Sequence, residues 1–301
     1  MTGFRPSLPI THSGFVGLLG RPNVGKSTLL NRILGQKIAI TSPKPQTTRN
    51  RIAGVLNRRG VQMVFVDTPG VHEGPKLINR YMLREAMACL RDLDAALFIV
   101  DATHGPERDD EALAARLRGA AVPVILVVNK VDIGSTPTEA FSGLFPFRSN
   151  HRISAATGEG MEVLLDDVAG LLPEGPEYYP SDMVTDRTER FASEEFIREK
   201  VFELTGQEIP YSVAVTVEDW EEKPEQGMVV IRATIHVERE SQKGIVIGKG
   251  GHLIKEIGRR ARLELEPLLG SRIYLDLRVT VDRNWTKDPK ALRRFGYEVR
   301  S

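Results

Sequence analysis

Gly20, Arg21, Pro22, Asn23, Val24, Gly25, Lys26 and Ser27 set two glycines, a lysine and a hydroxyl at the spacing of a phosphate-binding loop, with Thr28 directly after it. The glycines let the backbone curl so that successive N–H groups point inward, and a helix starting here adds the positive end of its dipole. Lys26 has the length to reach β- and γ-phosphates, and the Ser27 hydroxyl suits Mg²⁺. Farther along, Asp67, Thr68, Pro69 and Gly70 end an apolar run. A carboxylate at such a place can hold Mg²⁺, and the glycine N–H can meet a γ-phosphate. Asn129, Lys130 and Asp132 close the most apolar run of the chain. Asp132 can accept from the ring N–H and exocyclic amine of guanine, whereas adenine would leave that carboxylate unpaired, so the nucleotide expected is GTP or GDP. Ser154, Ala155 and Ala156 follow the next run and offer a backbone N–H for guanine O6. Each motif alone is a common turn, but the ordered set is hard to obtain by chance.

A second constellation lies near residue 250. Ile247, Gly248, Lys249, Gly250 and Gly251, with Lys255 one turn on, form a GxxG turn between an apolar helix end and an amphipathic helix. Glycines there allow a nucleic-acid backbone to approach peptide N–H groups, and Lys249 supplies charge for a phosphate. Single-stranded RNA is the expected ligand, its bases splayed on an apolar floor. Ile245, Ile247, Leu253 and Ile254 can serve floor or core, and spacing does not divide them. Of the basic run Lys243, Lys249, Lys255, Arg259, Arg260 and Arg262, the first choices for phosphate are Lys249 and Lys255. Trp220 and Trp285 read as packing residues before base stackers, and the basic tail 287–294 can touch RNA or the first domain.

These residues need elements to hold them. Apolar runs at 14–19, 51–57, 62–67, 95–101, 122–129 and a short one near Arg152 read as strands, separated by helical spacing at 26–34, 77–91, 109–118 and 161–172. That alternation predicts an α/β fold with a mainly parallel six-stranded sheet, and the hairpin signal at Arg58, Arg59 and Gly60 makes one edge antiparallel. The stretch from Pro173 to Pro180 is turn-rich and reads as a seam. The expected domains are therefore 1–172, a P-loop domain; 173–190, a linker; and 191–301, an α+β domain with a tail. In the last, a helix at 193–204, strands at 212–218 and 229–238, two helices around the glycines and a strand at 272–281 are expected.

Composition narrows the classes. In 301 residues, Lys and Arg number 41 against 40 Asp and Glu, a net charge of +1, which excludes a globally basic nucleic-acid coat. Charge is segregated locally: residues 191–231 carry 10 acids and 3 bases, residues 232–262 carry 8 bases and 3 acids, predicting a basic face and a separate acidic one. One cysteine, Cys89, rules out an intrachain disulfide and most zinc sites and is expected in the core. The longest apolar runs, 95–100 and 122–128, are shorter than the ~18 residues of a membrane helix, and no export signal opens the chain. A soluble cytoplasmic protein is the expectation.

With these motifs the chain resembles the translation-factor-related class of Ras-like P-loop GTPases. The order helix, two strands, GxxG helix pair, strand resembles a type II KH domain, and the combination resembles the Era family, bacterial GTPases of small-subunit ribosome assembly. The resemblance implies that Gln46, Thr47, Thr48 and Arg49 form switch I, where one threonine completes the Mg²⁺ shell when GTP is bound; Thr48 is favoured and Thr47 is the alternative. Ras-like enzymes place a glutamine after DxxG, but here the residue is Val71, which can neither donate nor accept. Slow hydrolysis is implied, supported by Lys26, Thr48, Gly70 and Mg²⁺ without a general base, and His72 reads as exposed. Asn23 matches the residue associated with K⁺ use near the β,γ-bridge. The implied partners are the 3′ end of small-subunit rRNA and the 30S subunit, with GTP-gated RNA binding, loose peripheral membrane association and a monomeric state. Two other readings are a constitutive RNA-binding protein with a structural nucleotide, and a GTP switch for a protein or membrane partner.

Overall fold

The computed structural model describes residues 9–42, 44, 47–70, 77–206, 209 and 212–297. The expectations for Gln46, Val71, His72 and the side chain of Cys89 lie outside the described residues. Contacts divide the chain into two units: Met1–Ala39, Thr48–Glu73 and Met82–Asp186 form the first, and Ile40–Thr47, Gly74–Tyr81 and Arg187–Ser301 the second.

In the first unit the elements run β1 (His12–Leu19), α1 (Lys26–Leu34), β2 (Ile52–Arg58), β3 (Val61–Asp67), α2 (Leu77–Ala88, entering this unit at Met82), β4 (Ala95–Asp101), α3 (Arg108–Leu117), β5 (Val124–Asn129), α4 (Glu139–Ser142), β6 (Ser149–Arg152) and α5 (Met161–Ala169). The sheet order is β2-β3-β1-β4-β5-β6, parallel except for β2 against β3. β4 and β5 are buried along their whole length, the consequence of continuous Val, Ile, Leu and Phe with helices over both faces. The hairpin turns at Arg59 (φ 52°) and Gly60 (φ 81°) with Arg58 facing Val61, a two-residue turn whose left-handed residues match the strand twist.

Boundaries moved where local chemistry overrides periodicity. Pro123 precedes β5, which starts at Val124 rather than at 122. The helix at 77 passes into a 3₁₀ turn at Cys89–Asp92, and α5 stops at Ala169 before Gly170. The four-residue α4 is too short to carry a periodic signal. The stretch after Pro173 does not hang free. Ser13 N–H donates to Pro173 O (3.1 Å), Gly175 N–H to Thr11 O (3.0 Å), and Val55 N–H to Val184 O (2.8 Å). Gln62 Oε1 accepts from the amides of Tyr178 (2.7 Å) and Tyr179 (3.0 Å). Proline and glycine forbid helix here, yet the extended backbone satisfies groups of the β1 and β2 region, so the first unit runs to Asp186.

The second unit contains α6 (Glu189–Leu204), β7 (Ala214–Lys223), β8 (Met228–Val237), α7 (Glu240–Ile247), α8 (His252–Leu269), β9 (Arg272–Val281) and α9 (Pro289–Arg294). β7 and β8 pair antiparallel, β8 and β9 parallel. Ile197, Val201, Phe202, Ile235, Val246, Ile257 and Ala261 form its core. α6 begins before its apolar pattern does because Thr188 Oγ1 accepts from Phe191 N–H (3.2 Å), an N-cap. The acid-rich stretch does not form a simple acidic face. Glu195, Arg198, Glu199 and Lys200 of α6 are all buried, with Arg198 paired to Glu195 and Lys200 to Glu199 (3.0 Å), Glu203 (2.8 Å) and Glu264 (2.6 Å). Trp285 is buried and donates Nε1–H to Ser212 O (2.9 Å), while Trp220 packs against Ile231 and Leu265. Both tryptophans serve packing.

Candidate nucleotide and RNA sites

The phosphate-loop residues follow β1 and open α1. Gly25 caps the helix at φ 100°, and a Cβ there would lie 2.3 Å from Asn129 Nδ2, so both conformation and space demand glycine. Asn129 joins three loops: its Nδ2 donates to Val24 O (2.8 Å), and its Oδ1 accepts from Ala155 N–H (2.9 Å). Thr68 Oγ1 donates to Leu18 O (2.8 Å). A Cβ on Gly70 would lie 2.8 Å from Pro22 backbone, which sets that turn directly against the phosphate loop.

Lys26 is buried and donates Nζ–H to Gly20 O and Arg21 O, each at 3.0 Å. Burial lowers its pKa to about 8, against the opposing pull of Asp67 and Asp110. Burial also raises the Asp67 carboxyl to about 6, although Lys26, Ser27 and Thr48 oppose the rise. Ser27 Oγ donates to Asp67 Oδ2 (2.6 Å) and lies 2.8 Å from Thr48 Oγ1, which itself stands 3.4 Å from Asp67 Oδ2. Asp67 Oδ1 is buried with no hydrogen-bond partner among the described residues. Two hydroxyls and a carboxylate with an orphaned oxygen are hard ligands that fit Mg²⁺. The structure brings Thr48, not Thr47, to this cluster; the Thr47 hydroxyl donates to Lys44 O (2.7 Å).

On the base side, Lys130 has a left-handed backbone (φ 67°) and its Nζ donates to Asp101 Oδ2 (2.5 Å). Burial alone would raise the Asp101 carboxyl, but hydrogen bonds from Lys130 and Thr103 hold it below the usual range. Asp132 is exposed, and Ser154 is buried with its Oγ accepting from Thr157 N–H (3.0 Å). Asn23 is exposed in a left-handed conformation (φ 67°).

Several supporting residues escaped the sequence reading. Asp101 is one. Asn31 accepts from the amides of Ile38 (2.9 Å) and Ala39 (3.0 Å), pinning the segment that leaves α1. Arg32 Nε–H donates to Ala155 O (3.0 Å). Glu107 (2.8 Å) and the fully buried Asp110 (3.4 Å), at the start of α3, hold Arg21 of the phosphate loop, which the sequence had already singled out. Asp101, Asn31, Arg32, Glu107 and Asp110 lie in no recognisable motif; the one available signal was the acidic first turn of α3, Asp109, Asp110 and Glu111.

In the second unit the glycine turn joins α7 to α8. Gly248 (φ 72°) is required because a Cβ would sit 2.7 Å from Leu253 Cβ, and Gly250 and Gly251 are left-handed at φ 62° and 77°. Lys249 and Lys255 are exposed and make no ion pair among the described residues. The arginines differ. Arg259 binds Glu256 through two bonds of 2.8 Å and Arg260 binds it at 2.7 Å, holding the Glu256 carboxyl near 2. A groove between α8 and β9 is lined by Ile254, Lys255, Gly258, Arg259, Arg262, Leu275, Asp276 and Leu277, an apolar floor whose edge carries three bases and one acid. Ile247, Leu253 and Ile254 pack on the core while half-buried, and Ile245 is 50 % exposed. Arg294, in the basic tail, pairs with Asp282 (2.5 Å). Among the described residues no helix is long and apolar enough to cross a membrane.

Residues 15–130 match the 50S ribosome-binding GTPase family and residues 208–286 the KH domain family. GTPase Era of Geotalea daltonii is 51 % identical over 95 % of this chain and 98 % of its own length. GTPase Era of Carboxydothermus hydrogenoformans is 47 % identical over 95 % of this chain and 97 % of its own. A crystal structure of Era in complex with MgGDPNP and nucleotides 1506–1542 of 16S ribosomal RNA has a TM-score of 0.92 at 39 % identity, covering 96 % of this chain and 100 % of that one. An Aquifex aeolicus Era variant bound to GDP and AlF4⁻ has a TM-score of 0.90 at 39 % identity, with the same coverage. With an Era GTPase sharing half of the aligned residues along nearly the whole length, and with both site architectures in place, the chain belongs to the Era family of GTPases.

Proposed function

We propose that this GTPase binds the 3′ end of small-subunit rRNA in its GTP state, hydrolyses GTP slowly, and releases the RNA as the 30S subunit assembles. One observation carries the reading. A single chain has the hydroxyl and carboxylate cluster of Ser27, Thr48 and Asp67 together with unpaired lysines at a glycine turn, and a solved relative holds MgGDPNP and 16S RNA together. The 50S description belongs to a family matched by residues 15–130 alone, so the relative covering both units is the better guide to the RNA.

In this reading Ser27, Thr48 and Asp67 hold Mg²⁺, which neutralises charge on the β- and γ-phosphates. Lys26, now seated on loop carbonyls, turns to the phosphates, and backbone N–H groups of the loop from Arg21 through Thr28, Pro22 excepted, line them. Thr48 and Gly70 are drawn to the γ-phosphate, ordering the switches. Asp132 reads guanine, with Asn129, Lys130 and the Ser154–Ala156 turn shaping its seat. Catalysis is positional and electrostatic, with no side chain cast as base. Asn23 is the candidate K⁺ ligand. Work in the cytoplasm fits this role, and any contact with the membrane would be peripheral.

The test is affinity for an oligonucleotide matching the rRNA 3′ end at one fixed salt concentration, with GDP and then a non-hydrolysable GTP analogue. Tighter binding with the analogue supports the gate. Equal binding favours an RNA-binding protein with a structural nucleotide.

A further inference from the structure

α1 runs from the phosphate loop to its cap at Gly35, and Arg32 lies in its last turn. A base there complements the helix dipole and need do nothing else. Arg32 does more. Its Nε–H donates to Ala155 O at 3.0 Å and its Nη2–H donates to Ala156 O, so one guanidinium holds two consecutive carbonyls of the turn that follows β6. All three residues belong to the first unit. Thr28, one helical turn before Arg32, lines the same cleft as Ala155 and Ala156, so a single helix borders both the phosphate loop and this turn.

The other groups of the turn are satisfied without Arg32. Gly158 N–H donates to Ser154 O (2.7 Å), Ser154 N–H to Glu159 O (3.1 Å) and Thr157 N–H to Ser154 Oγ (3.0 Å). Ala155 N–H donates to Asn129 Oδ1 (2.9 Å). What these bonds do not hold is the peptide between Ala155 and Ala156. That peptide is planar and trans, so its C=O and N–H point in opposite directions. Arg32, by fixing Ala155 O, therefore fixes the direction of Ala156 N–H, which meets no acceptor among the described residues. A guanidinium suits the task because its rigid fork reaches two carbonyls at once, whereas an ammonium is a point charge on a flexible stem.

We propose that Arg32 is a positioning residue for the guanine base: by holding Ala155 O and Ala156 O it aims the Ala156 N–H at guanine O6 and so slows release of the nucleotide. The inference rests on the reading above that seats guanine between Asp132 and the Ser154–Ala156 turn. Arg32 itself touches no part of the nucleotide. Its effect is confined to the acceptor at position 6 of the base and to the rate of dissociation, because association depends on reaching the cleft and not on the last bond formed there.

The test uses the full chain with saturating Mg²⁺ and no RNA. Release of GDP and of 6-thio-GDP, each labelled on the ribose so that the base is untouched, is followed for wild type, Arg32→Met and Arg32→Lys. Sulfur is a weak acceptor, while the ring N–H and exocyclic amine that face Asp132 remain. GDP should leave Arg32→Met about fivefold faster than wild type, the worth of one net hydrogen bond, while 6-thio-GDP release and both association rates change less than about twofold. Arg32→Lys keeps the charge at the helix end without the fork, so it should release GDP nearly as fast as Arg32→Met. Wild-type GDP release from a folded Arg32→Met would overturn the proposal. Wild-type release from Arg32→Lys would overturn it as well, since the helix-end charge would then suffice. Equal acceleration of both nucleotides would do the same, because a general loosening of the turn does not distinguish oxygen from sulfur. Failure of the underlying reading looks different: wild type itself would then hold GDP and 6-thio-GDP equally, and the seat of O6 on this turn would fall together with the role of Arg32.

Discussion

The nucleotide site and the glycine turn of the second unit both bring backbone N–H groups and lysines toward phosphate, yet they treat charge in opposite ways. Lys26 and Asp67 are buried, shifted toward neutrality by desolvation and held by bonds to the loops around them. Lys249 and Lys255 stand in water beside arginines already committed to Glu256. A buried charge gives chemistry and strict geometry, whereas an exposed one gives salt-dependent affinity with little demand on position. The first site is built to discriminate and react, the second to hold and let go.

The largest break in this contrast comes from Lys26. Lys26→Ala is expected to lower the single-turnover hydrolysis rate by about 10²–10³-fold, the usual effect of losing a charge-stabilising donor, while RNA affinity in the GDP state stays unchanged. Next, Lys249→Asp with Gly250→Asp should weaken RNA binding by about 30-fold or more without altering intrinsic hydrolysis, and a titration across salt should show a shallower slope. The comparison sharpens within the basic run: Lys255→Ala should weaken RNA binding by about three- to fivefold, whereas Arg259→Ala changes it less than about twofold, since that guanidinium is engaged by Glu256. An equal loss at both would remove the distinction between unpaired and paired bases.

How much of this was legible in the sequence follows the same division. The phosphate loop, DxxG and NKxD were readable because each needs fixed residue types at fixed spacing, and the structure gathers Ser27, Asp67, Gly70 and Asn129 accordingly. The six-stranded sheet was readable because continuous apolar runs have few alternatives to burial. The pairing of Arg259 and Arg260 with Glu256 was not, since a basic run looks the same whether or not a neighbour has engaged it. Nor was the buried polar face of α6: its acids predicted an exposed acidic face, yet Glu199 accepts from Thr41 N–H and Arg198 donates to Thr47 O. The stretch 173–186 shows the same limit: its prolines announced the end of a helix, not which backbone groups it would satisfy.

A smaller effect tests the account of buried charge on α6. Burial raises the Glu194 carboxyl to about 7, despite the bond it accepts from Val217 N–H (2.9 Å). The folded value lies above the unfolded one, so the fold binds this proton more tightly. The resulting stabilisation is full below about pH 4.5 and is lost as pH rises through about 7. Glu194→Gln should therefore raise Tm by about 2–4 °C at pH 8, have little effect at pH 5, and flatten the slope between, as thermal melts at the two pH values would show. Smallest in scope is the K⁺ expectation at Asn23: hydrolysis should be faster in K⁺ than in Na⁺ at equal ionic strength, and equal rates would remove it.

The central claim is that the two sites are linked, and linkage must be reciprocal. The most direct measurement is the GTP-analogue and GDP affinity of the full chain with and without a saturating rRNA 3′-end oligonucleotide. The account predicts that RNA raises the analogue-to-GDP affinity ratio by the same factor by which the analogue tightens RNA. A ratio that RNA leaves unmoved would contradict it and reduce the chain to a GTPase and an RNA-binding module that happen to be joined.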